Sequence, residues 1–237
     1  MIDKFVNSVA EALRDVQDGA TILVGGFGAV GQPDALVEGL IAQGARDLVV
    51  VANNAGYGRV GLARLLAEGR VRKLICSYPR IAGSVIFEKL YHAGKLELEL
   101  VPQGTLAERL RAAGAGVPAF FTATGVGTSL AANKETRIID GREYVLEKAL
   151  HGDVALIDSW RGDRWGNLTY RATGRNFNPV MAMAGKLTIA QVHERVELGA
   201  LDPEAVVTPG IFVKRIVVAS PNSKSDSTSS NTANVSA

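Results

Sequence analysis

The 237-residue chain has a single cysteine, Cys76, and only three histidines. One thiol cannot close an internal disulfide, so a disulfide scaffold is excluded and a reducing compartment fits best. No CxxC or HxxxH pair is present, and no metal is expected. Long apolar runs are missing too. The purely aliphatic stretches, such as residues 48–52, are strand length, far short of the ~20 residues a membrane span needs. The opening Met1-Ile2-Asp3-Lys4 carries an acid and lacks the apolar segment of a secretory signal. A cytoplasmic address with no membrane partner is expected. An excess of one charge is also absent: Lys+Arg is 26, Asp+Glu is 24 and the net charge is +2. That balance gives no reason to expect nucleic acid as a partner.

What is present is ordinary for a globular protein: 47% hydrophobic and 21% charged residues, enough for a substantial core. Over the first ~120 residues, short β-rich runs at 21–24, 48–52, 74–77 and 96–101 alternate with helical patterns at 5–16, 34–42, 61–67 and 85–92. Pro33 sits where a first-turn proline would. Gly44, Gly69, Gly94 and Gly114 follow helical runs, as terminating glycines do. This rhythm predicts an α/β fold: an open, mostly parallel sheet flanked by helices. Beyond Pro118 the rhythm changes. Residues 137–146 read as a hairpin turning at Asp140-Gly141, and strands follow at 154–159, 167–170, 187–192 and 211–218. The second half is therefore expected to be hairpin-rich and mixed. No linker divides the halves, so residues 1–219 read as one domain. Residues 220–237, rich in Ser, Asn and Thr, read as a disordered tail.

Three loops after predicted strands invite chemistry, because ligands of open α/β sheets bind at the carboxyl ends of the strands. The first, Gly25-Gly26-Phe27-Gly28-Ala29-Val30-Gly31, precedes a helix. Its backbone N–H groups suit a phosphate or carboxylate, although a plain tight turn fits the spacing equally well. It is not a P-loop. Gly26 to Gly31 spell G-x-G-x-x-G by letter, but Asp47 opens the next strand instead of ending it, which argues against a nicotinamide-dependent oxidoreductase. The second loop carries Asn53 and Asn54, as Asx-turn formers or as donors to a substrate. The third carries Gln103, as a helix cap or as a donor to a developing oxyanion, with Thr105 an alternative cap. Arg80 suits a carboxylate. Cys76 reads as an inert core thiol, and Glu97, Glu99, Glu143 and Glu147 read as solvated.

The segment from Asp18 to Pro33, with its acidic-Gly start, three aliphatics, Gly-Gly-Phe and Gly-x-Pro, resembles the signature of the A (alpha) subunit of family I coenzyme A-transferases. The resemblance continues through Asn53-Asn54-Ala55-Gly56, Pro102 to Arg109, Thr124 to Thr128, Gly162 to Leu168, Arg175-Asn176-Phe177-Asn178 and Pro209 to Val213. It spans essentially residues 1–219, and within the family it is nearest to the 3-oxoacid type. It implies a two-subunit enzyme, AB or A2B2, with no permanently bound cofactor and with CoA thioesters as substrates. Such an enzyme moves CoA from succinyl-CoA to 3-oxoadipate or acetoacetate through acyl-glutamyl anhydride and glutamyl-CoA intermediates. The nucleophilic glutamate lies in a Ser-Glu-Asn-Gly motif of the B (beta) subunit, and that motif is absent here. By the same resemblance Gln103 contributes to the oxyanion hole, Asn53 and Asn54 hold the substrate, and Gly25–Gly31 contacts CoA. Arg80 is a candidate partner for a second substrate carboxylate. An alternative of another class, a sugar-phosphate-type ligand-binding α/β module, rests on the Gly-rich loop alone.

Overall fold

A computed structural model describes residues 2–80 and 84–219; the expected tail at 220–237 lies outside them. The elements run α1 (Val9–Leu13), β1 (Thr21–Val24), α2 (Asp34–Gln43), β2 (Leu48–Asn54), α3 (Gly61–Ala67), β3 (Val71–Tyr78), α4 (Val85–His92), β4 (Glu97–Leu100), α5 (Gln103–Gly114), β5 (Ala119–Thr122), β6 (Thr136–Ile139), β7 (Arg142–Lys148), β8 (Gly152–Gly162), β9 (Leu168–Thr169), α6 (Asn178–Ala184), β10 (Gly185–Arg195) and β11 (Arg215–Val218). The main sheet has the order β11-β10-β8-β1-β2-β3-β4, all parallel, with β9 antiparallel on β8. A second sheet, β5-β7-β6, is antiparallel.

Strand periodicity divides the core in two. Ile22, Val24, Val50, Ala52, Leu74 and Cys76 pack with Leu36, Leu40, Leu65 and Phe87 of α2, α3 and α4. Leu23, Val49, Val51 and Ile75 pack on the other face with Leu106 and Leu110 of α5 and Met181 of α6. Alternate residues of one strand thus face different helices, and burial on both faces explains the unbroken apolar runs. Cys76 is fully buried, and burial pushes its thiol up to about 12.

The expected alternation holds, with local differences. The first helix begins only at Val9, because Ser8 accepts a bond from the Glu11 N–H and caps it. The preceding residues are extended and exchange bonds with Ile216: the Val6 N–H donates to its carbonyl at 2.9 Å and its N–H to the Lys4 carbonyl at 2.8 Å. Pro33 is the cap residue of α2 rather than its first turn. Gly44 ends α2 at φ +100°. Gly114 instead lies inside α5, where a Cβ would come within 2.4 Å of Met183 Cβ, so close packing of α5 on α6 requires it.

The hairpin at Asp140-Gly141 forms with φ of 50° and 76°, as a type I′ turn demands. All antiparallel strand pairs fall in the second half, yet its longest strands, β8 and β10, extend the parallel sheet. Glu147 corrects the expectation of a solvated side chain. It is buried, ion-paired with Lys134 and near Arg109, whose guanidinium also reaches Glu99 at 3.0 Å. Those charges help dock the small sheet against α5 and β4.

Candidate active site

Because the main strands run parallel, the loops after β1, β2, β3 and β4 share one edge of the sheet. The register sets Asn53 level with Ser77, since Ala52 pairs with Cys76 and Asn54 with Tyr78. Both are on the α5 face, and α5 begins at Gln103 just after β4 ends. Gln103 Nε2 donates to Asn53 Oδ1 at 2.8 Å, and Ser77 Oγ donates to the same oxygen at 2.8 Å. Asn53 is buried while Gln103 is exposed. One Nε2 hydrogen is therefore committed to aiming the amide and the second remains for a ligand.

No side chain caps α5, and its first turn holds no acid. Its leading N–H groups and the positive end of its dipole add to the same corner. Thr105 does not serve as the cap: its Oγ1 is buried with no hydrogen-bond partner among the described residues. The corner is a donor array suited to a carboxylate or an oxyanion.

The two asparagines divide the alternatives left open by the sequence. Asn54 faces the opposite way. Its Oδ1 accepts the Gly56 N–H at 2.8 Å, an Asx turn, and its Nδ2 lies 3.5 Å from the Gly28 carbonyl. It shapes the loops, whereas Asn53 aims Gln103. Arg80 is not brought to this corner. Its exposed guanidinium pairs with Glu88 of α4 at 2.6 Å.

The Gly-rich loop stands beside the donor corner as a miniature hairpin. Phe27 and Val30 exchange two backbone hydrogen bonds of 3.0 Å around Gly28-Ala29. Phe27 and Val30 are each about half exposed, at 49% and 47%, as are several other apolar side chains on this edge, including Tyr78. Gln32 Nε2 donates to the Gly28 carbonyl at 3.0 Å and closes the loop from within. Behind the loop lies a second polar cluster on β8 and β10. Gln191 Nε2 donates to Asp158 Oδ1 at 2.7 Å, and His193 Nε2 lies 3.1 Å from the same oxygen. Gln191 Oε1 accepts the Ala35 and Leu36 N–H groups of α2. Burial raises the Asp158 carboxyl above its ordinary range, against the lowering pull of Gln191 and His193. Among the described residues, no group of three or more His, Cys, Asp or Glu could hold a metal ion. No helix there is long and apolar enough to cross a membrane.

No local pattern marks the Ser77–Asn53 bond or the Gln191–Asp158–His193 cluster. Only strand register reveals them, because each acts through a neighbouring strand. A polar residue two positions past the last apolar inward residue, as Ser77 is past Ile75, is the signal the sequence offers.

The chain that carries this geometry belongs to a known class. Residues 6–219 match the Coenzyme A transferase family, and the chain belongs to that family. It is 61% identical over 220 residues to the A subunit of 3-oxoadipate CoA-transferase from Pseudomonas putida, covering 93% of this chain and 95% of that one. It is 50% identical over 221 residues to the A subunit of a probable succinyl-CoA:3-ketoacid coenzyme A transferase from Bacillus subtilis, covering 93% and 92%. Among solved structures, it superposes on the acyl-CoA transferase YdiF apoenzyme of Escherichia coli O157:H7 with a TM-score of 0.80 at 26% identity. That match covers 93% of this chain but 48% of YdiF, so the chain spans about half the length of that protein.

Proposed function

We propose that this chain is the A subunit of a two-polypeptide enzyme that transfers CoA from succinyl-CoA to a 3-oxo acid, with 3-oxoadipate as the acceptor. The observation that carries the reading is the Gln103–Asn53–Ser77 corner: a donor array at the sheet's carboxyl edge, in a chain without the Ser-Glu-Asn-Gly glutamate. A companion B subunit supplies that carboxylate. In the first half-reaction the glutamate attacks the thioester carbonyl and CoA thiolate leaves, giving an anhydride. The thiolate then attacks the glutamyl carbonyl, releasing succinate and leaving glutamyl-CoA. The acceptor carboxylate repeats the sequence in reverse. Each attack places negative charge on a carbonyl oxygen, and the free Nε2 hydrogen of Gln103 accommodates it.

In this reading Gly25, Gly26, Phe27, Gly28, Ala29, Val30 and Gly31 contact CoA, and the half-exposed Phe27, Val30 and Tyr78 are covered once substrate and the B subunit sit in place. Asn53 serves the substrate by holding Gln103. The sugar-phosphate-module alternative has no use for that corner. The relatives named for 3-oxoadipate share more identity with this chain than the relative named for a 3-ketoacid, which supports 3-oxoadipate as the acceptor.

The test is reconstitution. The purified chain alone is expected to show no transfer from succinyl-CoA, and addition of its cognate B subunit restores it. The kcat/KM for 3-oxoadipate is expected to exceed that for acetoacetate; the reverse order makes the acceptor acetoacetate. Full activity of the lone chain overturns the division of labour.

A further inference from the structure

Both ends of the Gly-rich loop rest on one side chain that no substrate can reach. Asn178, the first residue of α6, is fully buried. Its Nδ2 donates to the Gly31 carbonyl at 3.0 Å and to the Gly174 carbonyl at 2.9 Å. Its Oδ1 accepts the Asp158 N–H at 2.9 Å. At the other end of the loop, a Cβ on Gly25 would come within 1.8 Å of that same Oδ1. Gly25 is therefore glycine because Asn178 occupies the space, and its N–H is held by the Leu156 carbonyl at 3.0 Å. Gly31, at φ +66°, is crowded likewise: a Cβ there would lie 2.7 Å from the Gly174 carbonyl and 3.0 Å from Asn178 Nδ2. Two residues before Asn178, Asn176 Nδ2 donates to the Val30 carbonyl at 3.0 Å. The loop tip itself projects outward, with Phe27 and Val30 half exposed.

We propose that Asn178 is a positioning residue for the CoA thioester, locking the seven-residue loop Gly25–Gly31 from behind so that its tip meets CoA already in its bound conformation. This rests on the proposed contact between that loop and CoA. The physical case is one of preorganisation. A loop with four glycines at positions 25, 26, 28 and 31 loses more conformational freedom on ordering than other sequences do. Fixing both ends in the free protein removes that cost from the binding step. A side chain 147 positions away in sequence from Gly31 does this with one amide whose donor and acceptor are both used.

The test uses the complex of this chain with its B partner, assayed with two acyl donors: succinyl-CoA, and a short succinyl thioester of N-acetylcysteamine that lacks the nucleotide and most of the arm. Asn178→Asp keeps the volume but turns an oxygen toward the Gly31 and Gly174 carbonyls. It is expected to lower kcat/KM for succinyl-CoA about tenfold, leave the short thioester within about twofold, and speed hydrogen exchange of the amides at 26–31. A general loss of structure lowers both donors alike, and that result overturns the proposal. Unchanged exchange at 26–31 overturns it too. Phe27→Ala separates the proposal from the reading beneath it. If Phe27→Ala discriminates between the donors and Asn178→Asp does not, the positioning role falls and the CoA contact stands. If neither discriminates, the contact itself falls and the positioning role falls with it. Should Asn178→Asp fail to assemble, Asn176→Ala, which releases the Val30 carbonyl, is expected to show the same selectivity with a smaller factor.

Discussion

Two corners of one sheet edge are built from the same side-chain chemistry and do opposite things. At the ends of β2, β3 and β4, Gln103 is exposed and holds a single side-chain bond, to Asn53. Behind the end of β1, Asn178 of α6 and Gln191 of β10 are buried against Asp158 of β8, and each uses both its donor and its acceptor side on the protein. A buried amide whose donor and acceptor are both bonded inside the protein holds structure. One oriented by a single bond, with a hydrogen left over, can act on a ligand. Amide composition therefore does not mark a site; the balance between committed and free hydrogen bonds does.

The largest expected effect comes from the open corner. Gln103→Ala removes the donor, and the buried Asn53 Oδ1 that it leaves keeps the Ser77 hydroxyl as its partner. The kcat for transfer is expected to fall by about 10²–10³, or roughly 2.7–4 kcal/mol, with assembly with the B subunit unimpaired and Tm essentially unchanged. Steady-state kinetics on the reconstituted complex checks it. A wild-type rate removes Gln103 from the chemistry and erases the contrast between the corners.

The closed corner is expected to answer in stability instead. Gln191→Met is close in size but leaves the Ala35 and Leu36 N–H groups without their partner, while Asp158 Oδ1 keeps its contact with His193 Nε2. Buried polar groups stripped in this way cost about 2–3 kcal/mol in total, or roughly 4–12 °C in Tm for a chain of this size. Thermal denaturation of the isolated chain measures it. A Tm within about 1 °C of wild type, far below that shift, would mean that water replaces Gln191 freely, so that this corner is as open as the other.

Much of this is legible in the sequence. The β-α rhythm, the hairpin at Asp140-Gly141 and the inert Cys76 follow from local pattern, because turn chemistry and periodicity are written in neighbouring residues. So does the location of the three loops, each just past a strand-like run. What is not legible depends on register between distant segments. Asn53 and Asn54 are adjacent in sequence yet face different helices, and only the alternation of β2 against α3 and α5 tells the acting amide from the turn former. Arg80 reads as a ligand group because its partner, Glu88, lies in the next helix and nothing local ties the two together. Glu147 alternates like a solvated hairpin residue, and only the docking of β7 near Arg109 buries it. Asn178 lies within a family motif, but its role becomes visible only against Gly25 and Gly31.

The smallest expected effect sharpens the contrast electrostatically. Asp34 opens α2 between the two corners. The protein packed around its carboxyl, and then the negative charges of Asp158 and Glu38, push its pKa up to about 6 from an ordinary 3.8. The folded chain therefore holds that proton more tightly than the unfolded chain does. Its favourable contribution is present at low pH and is lost as pH rises through about 4 to 6. The N-terminus of α2 opposes this by favouring the charged form, and Asp34 remains exposed to solvent, so the net slope is shallow. Asp34→Asn stays neutral throughout. The Tm of the variant, measured relative to wild type at about pH 4.5, 6 and 7.5, is expected to rise across that series and to level off above about pH 6. Parallel curves would mean that neither the packing around the Asp34 carboxyl nor the charges of Asp158 and Glu38 raise its pKa, and that the closed corner tolerates a neighbouring carboxylate as readily as solvent does.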